Sequence, residues 1–110
     1  MAKGNNLGEF EQLMLLAIMR LDDNAYGVTI RREIESGSQR EIASGAVYAT
    51  LERMIDKGYI SGKEGEPEPT RGGRAKVYYR IEAPGKAALT AWEQTQRRMK
   101  HGLNLAQALR

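Results

Sequence analysis

The chain has 110 residues and a formal charge of +3, with 41% apolar and 28% charged residues. That is enough for one small core and too apolar for a disordered chain. The pI of about 9.3 suits an anionic partner, and the absence of cysteine excludes disulfides, thiol catalysis and thiolate-bound metal. The longest apolar run, Leu13–Met19, is far short of the roughly 20 residues of a membrane span. Glu9 and Glu11 stand where a signal peptide would be basic, which predicts a cytoplasmic protein without a membrane partner.

In chain order, residues 1–7 read as an arm. A first helix is expected from Gly8 or Glu9 to Leu21, acidic in its first turn and with Arg20 in its last. Phe10, Leu13, Met14, Ala17 and Leu21 form one face and Leu15, Leu16, Ile18 and Met19 crowd the other, so the helix must be covered all round. In so small a domain a second subunit is the simplest cover. Asp22-Asp23-Asn24 reads as a turn capping a second helix over about 25–36, with Tyr26, Ile30 and Ile34 as its inner stripe and Gly37 as its C′ residue.

Ser44 is the expected N-cap of a third helix ending at Lys57, with Gly58 just beyond; Val47, Leu51, Met54 and Ile55 should face inward. Tyr59-Ile60 opens a strand, and Val77, Tyr79 and Ile81 alternate with Tyr78 and Arg80 in a returning one, across a Gly- and Pro-rich loop. From Pro84 a last helix runs to about Lys100 and is allowed to continue past Gly102. Its stripe of Ala88, Trp92, Thr95, Met99, Leu103 and Ala106 completes the case for a two-fold dimer.

The third helix turns Gly45, Ala46 and Ala49 outward at its N-terminal end, leaving room for bases and phosphates, with Ser44 and the free N–H groups beside them. Tyr48 flanks the buried stripe, where its ring can pack and its hydroxyl reach a phosphate or base edge. Alanines also suit any surface helix, so this face alone does not separate the readings, and the outward Glu52 and Asp56 repel phosphate. The hairpin decides. Residues 70–80 carry Arg71, Arg74, Lys76 and Arg80 without an acid, and Gly72-Gly73 lets the tip approach a surface closely. A helix with a small-residue face followed by a basic hairpin outlines a winged helix on DNA.

Gly45-Ala46-Val47-Tyr48, Leu51, Arg53 and Lys57-Gly58-Tyr59-Ile60, then Arg71-Gly72-Gly73-Arg74, Tyr78-Tyr79-Arg80-Ile81 and Gly85, resemble the PadR family of bacterial transcriptional regulators. Leu7-Gly8-Glu9-Phe10-Glu11 and Asp22-Asp23-Asn24-Ala25-Tyr26-Gly27 are similar to it as well, so the likeness spans about residues 7–90. It departs at Met54-Ile55, where the family often has Leu and Glu, and at Glu82-Ala83-Pro84, whose entry to the last helix has a poorer cap. The resemblance implies a mainly α winged helix-turn-helix with a small β-hairpin over 1–82, and a C-terminal dimerisation helix over 83–110. It implies that the segment around Ser44, Tyr48 and Arg53 reads double-stranded DNA while Arg71–Lys76 holds the flank. By the same likeness Trp92, the only tryptophan, would stack on a small aromatic or hydrophobic effector; its plainer role is in the dimer core.

The expected function is a homodimeric regulator, a repressor, acting on a palindromic operator. The alternative is a winged-helix protein-interaction module that never touches DNA; single-strand RNA binding is weaker, for want of aromatics on an open sheet. Catalysis is not expected. His101 is the only histidine and sits in a basic tail, and Arg-Gly-Gly-Arg-Ala-Lys lacks P-loop spacing. No metal or cofactor is expected.

Overall fold

The computed structural model describes residues 7–66 and 75–108. Helix α1, Glu9–Leu21, ends in a single 3-10 turn at Asp22–Asn24, and α2 covers Gly27–Ser38. Helix α3, Ser44–Asp56, leads into strands β1, Ile60–Glu64, and β2, Val77–Ile81. Helix α4, Ala83–Lys100, and a single turn α5, Leu105–Ala108, complete the order. The sequence reading of a mainly helical chain with one two-stranded antiparallel hairpin holds.

Helix α1 is the hub, touching α2, α3, β2 and α4. This is why it is apolar nearly all round. Met14, Leu15, Ala17 and Ile18 are buried on adjacent faces, and the chain itself covers them. Only Leu16 and Met19 remain open, at 45% and 49% exposure. On α3 the buried stripe is Val47, Thr50, Leu51 and Met54, the i, i+3, i+4, i+7 pattern of one helix face. Ile55, expected inside, lies one step round the wheel and is 41% exposed.

Several boundaries differ from the sequence reading, each for a local reason. Helix α2 starts two residues late because Tyr26, not the Asp-Asn turn, is its N-cap. Thr29 replaces the expected side-chain cap, its Oγ1 accepting the Tyr26 N–H at 3.0 Å and donating to the Asn24 carbonyl at 2.6 Å. Gly37 stays helical, and Gln39 takes the left-handed C-cap position at φ 60°. Ser44 is the first residue of α3 rather than its cap; Ala43 precedes it as N-cap, without a side-chain bond.

The exit from α3 is a Schellman motif. Tyr59 N–H bonds the Met54 carbonyl at 3.0 Å and Gly58 N–H bonds Ile55 at 2.9 Å, with Gly58 at φ 76°. This turn feeds Tyr59 and Ile60, both buried, directly into β1. β1 then pairs with β2 from Ile60–Ile81 to Glu64–Val77, and Gly65 N–H extends the ladder to the Lys76 carbonyl at 2.7 Å.

Helix α4 is joined to the base of this hairpin. The Glu82 N–H donates to the Tyr59 carbonyl at 2.9 Å, and Ser61 Oγ donates to the Glu82 carboxylate. Gly85 is the buried residue of α4, lying so close to the Tyr59 carbonyl that a Cβ would overlap it. Further along, Ala88, Leu89 and Trp92 pack on the core, whereas Met99 and Leu103 are 73% and 60% exposed. The helix does not continue past Gly102. It stops at Lys100, and Gly102 turns the backbone at φ 81° before α5.

Candidate nucleic-acid interface

The helix-turn-helix angle is set by charged side chains at the end of α2. Glu35 Oε2 accepts the Ile42 N–H at 2.8 Å, fixing the turn before α3, and faces Arg31 Nε at 3.5 Å. Arg31 Nη1 then donates to Ser44 Oγ at 2.8 Å, so α2 grips the first residue of α3. The cleft between the two helices is lined by Gly27, Val28, Arg31, Arg32, Glu35, Ser44, Val47 and Tyr48. Two arginines therefore flank the N-terminal end of α3, where free N–H groups already favour an anion. The approach of Arg31 to Ser44 depends on the turn between the helices, which no spacing rule encodes.

Ser44, Gly45, Ala46 and Ala49 are all exposed, which leaves this end of α3 free of bulky obstruction. Tyr48 stands between them, 49% exposed. Its hydroxyl occupies the place that a Cβ on Gly27 would fill, so Gly27 lets the ring lie across the start of α2.

A second cleft, lined by Tyr26, Gly27, Val28, Tyr48, Ala75, Lys76, Val77 and Tyr79, continues from Tyr48 to the hairpin. Backbone pairing holds the hairpin there. Tyr79 N–H bonds the Ala25 carbonyl at 2.8 Å, Tyr26 and Tyr78 form an isolated bridge, and their rings meet edge to face at 5.5 Å. Lys76 Nζ lies 4.4 Å from the centre of the Tyr26 ring, a cation–π distance. Burial, with the negative forms of Tyr48 and Glu52 nearby, pushes the Tyr79 phenol up, so it remains a neutral donor. Arg71 and Arg74, expected at the hairpin tip, lie outside the described residues.

Ser44 and Tyr48 thus line the first cleft and Tyr48 and Lys76 the second, while Gly45, Ala46 and Ala49 are exposed on α3. Arg53 stands apart, at the other end of α3 and against α1. Its Nε lies 3.5 Å from Glu11 Oε2, and Nη2 reaches Thr50 Oγ1 at 3.4 Å. Lys57 Nζ donates to the same Glu11 oxygen at 2.9 Å, while Gly8 N–H donates to Glu11 Oε1 at 3.1 Å. Trp92 lies in a separate groove between α1 and α4 with Leu16, Met19 and Leu89. Its buried Nε1 has no hydrogen-bond partner among the described residues.

Burial pushes the Glu11 carboxyl up, but the Lys57 hydrogen bond, the Gly8 N–H and the charges of Lys57 and Arg53 outweigh it and hold it below its ordinary 4.5. A depressed carboxyl contributes stability above its unfolded value that is lost as pH falls through the lower folded one. Wild type should therefore exceed Glu11→Gln in urea resistance at neutral pH. The gap should close as pH drops below 4.5, and a pH-independent gap would contradict the assignment.

A basic helix-turn-helix cleft continuous with a β-hairpin defines a winged-helix protein of the DNA-binding class. Residues 15–91 match the model of the transcriptional regulator PadR-like family, and the chain belongs to that family. Its members are transcription regulators, not enzymes. A PadR family regulator from Clostridium difficile shares 27% identity at TM-score 0.59, covering 80% of this chain and 90% of its own. A PadR-like transcription factor from Bacteroides fragilis aligns at TM-score 0.66 and 17% identity over 83% of this chain and 84% of its own. A winged-helix DNA-binding protein from STIV aligns at TM-score 0.63 and 14% identity over 90% of this chain and all, 100%, of its own. Among curated proteins there is no match. No helix among the described residues is long and apolar enough to cross a membrane.

Proposed function

We propose that the chain is a sequence-specific DNA-binding repressor that acts as a homodimer on a palindromic operator. The observation that carries this reading is the open N-terminal end of α3, flanked by Arg31, Arg32 and Tyr48 and continuous with the hairpin. An α-helix enters the major groove by that end. Residues 1–82 form the DNA head in this reading, and residues 83–110 form the dimerisation segment. Ser44, Gly45, Ala46, Tyr48 and Ala49 meet the groove, with Arg53 farther along α3. Arg71, Arg74 and Lys76 hold the flanking backbone.

The open apolar side chains of α1 and α4 support the second copy. Leu16, Met19, Leu89 and Trp92 line one groove, Met99 is exposed near the end of α4 and Leu103 just beyond it. A two-fold dimer through these faces would set the two α3 helices roughly 34 Å apart, one turn of DNA. The groove beside Trp92 is also where a small aromatic or hydrophobic effector would act, by changing the angle between the two heads.

The test is fluorescence anisotropy on the chain's own upstream DNA and on duplexes selected from a random pool, with scrambled competitor, across salt concentrations. Tight, competitor-resistant binding that weakens steeply with salt is expected. Arg74→Ala should weaken binding to all sequences alike and lower the salt slope by about one. Equal binding by Arg74→Ala and wild type across salt would remove the hairpin from the interface.

A further inference from the structure

Glu11 is the one buried charged residue among those described, at 5% exposure. Removing a carboxylate from water is costly, and a buried ion pair commonly stabilises no better than apolar side chains of equal volume. What an apolar substitute could not do is hold a cation in a fixed direction. Glu11 holds two, Arg53 at 3.5 Å in the last turn of α3 and Lys57 at 2.9 Å at its C-cap, 46 residues away along the chain.

Arg53 and Lys57 are an i, i+4 pair of like charges, which repel when left alone. The Glu11 oxygen lies between them and reverses that repulsion. It approaches Arg53 on the Nε side, while Nη2 is bound to Thr50. Thr50 is itself buried, so both supports of the guanidinium are anchored in the core. The side chain nevertheless remains 53% exposed. A flexible arginine normally loses rotamer freedom when it docks, and one already held in place loses less.

We propose that Glu11 is a positioning residue for sequence reading: from the first turn of α1 it fixes the direction of the exposed Arg53 side chain, which the DNA-binding reading counts among the α3 contacts to the duplex. The inference rests on the DNA-binding reading above. Glu11 itself touches no DNA in this arrangement and acts through Arg53.

A charge argument gives the proposal a signature that simple damage to the fold would not produce. Glu11, Arg53 and Lys57 together carry +1; Glu11→Gln raises this to +2 while releasing Arg53. Attraction to any phosphate backbone should then be unchanged or stronger, yet discrimination between sequences should fall. A loosened head would instead lose both.

The experiment uses the full chain as wild type, Glu11→Gln, Arg53→Ala and the double variant. Each is titrated by anisotropy against a duplex that wild type enriches from a random pool, and against its scrambled form. Glu11→Gln should reduce the selected-to-scrambled affinity ratio about tenfold, the size of one good base contact, without weakening binding to the scrambled duplex. Arg53→Ala should reduce the ratio to a similar extent, and the double variant should lose no more than Arg53→Ala alone.

Lys57→Met provides the structural control, since it removes the shorter ion pair but leaves Arg53 on Glu11. It should lower the urea midpoint and keep the ratio. Should Glu11→Gln fail to fold, Glu11→Asp, which withdraws the charge by one methylene, takes its place in the cycle. Additive losses in the double variant, or an equal loss of ratio in Lys57→Met, would overturn the positioning role while leaving the DNA reading intact. Failure of wild type to enrich any duplex would overturn the DNA reading, and this role with it.

Discussion

Gly85→Ala should destabilise the protein by about 2 kcal/mol, the scale of an overpacked core site. The sign is opposite to that of helix propensity. Within an unobstructed helix, exchanging glycine for alanine contributes roughly 0.5–1 kcal/mol of stability. At Gly85 the new methyl meets the Tyr59 carbonyl and lies 3.0 Å from Ile81 Cγ1. Neither neighbour yields easily. The carbonyl is backbone, already accepting the Glu82 N–H, and Ile81 belongs to β2. Relief would require α4 to lift from the base of the hairpin, straining the Ser61–Glu82 hydrogen bond as well. Gly37→Ala is the internal control, because it too is helical but has nothing within 4 Å of its added Cβ. Urea titration followed by the fluorescence of Trp92, on the same helix, should move to lower midpoint for Gly85→Ala and slightly higher for Gly37→Ala. Equal shifts of the same sign would deny the close approach.

The contrast between these two glycines marks what could be read from sequence. Helix α1, the inner stripe of α3 and the alternation of β2 were legible because periodicity records which side of an element is covered. The covering partner is not recorded. The all-round apolarity of α1 pointed to a second subunit, yet most of that surface meets α2, α3, β2 and α4 of the same chain; only Leu16 and Met19 are left open. Boundaries failed where a side chain bonded unexpectedly, as with Thr29 displacing the Asp-Asn cap of α2. The small-residue face of α3 was legible from composition. Arg31 and Arg32 beside Ser44, and Glu11 beneath Arg53, were not, because both arrangements bring together residues far apart in sequence. An acidic first turn on α1 looked like an ordinary response to the helix dipole. Its burial against the end of α3 is a property of packing alone.

The double variant Leu16→Glu/Met19→Glu should bind an operator with two half-sites at least about 100-fold more weakly than wild type, by loss of the linkage between two heads. The substitutions are chosen for what they leave alone. Both side chains are 45–49% exposed in the single chain, so glutamates there remain solvated and the core behind them, Met14, Leu15 and Ile18, is untouched. In a two-fold dimer each substitution occurs twice, and four like charges would meet across one apolar seam. Removing them from water, or leaving them to repel, costs more than the lost apolar contacts alone. Sedimentation should show the variant as a 12.3 kDa monomer with wild-type helix content, and wild type at twice that mass. Binding to a duplex with a single half-site should be nearly unchanged, since the grooves lined by Leu16 and Met19 include none of the α3 residues proposed to meet DNA. A wild-type protein that sediments as a monomer at micromolar concentration would remove the seam from the argument. The open side chains of α1 and α4 would then need a different partner, and the operator would reduce to one half-site.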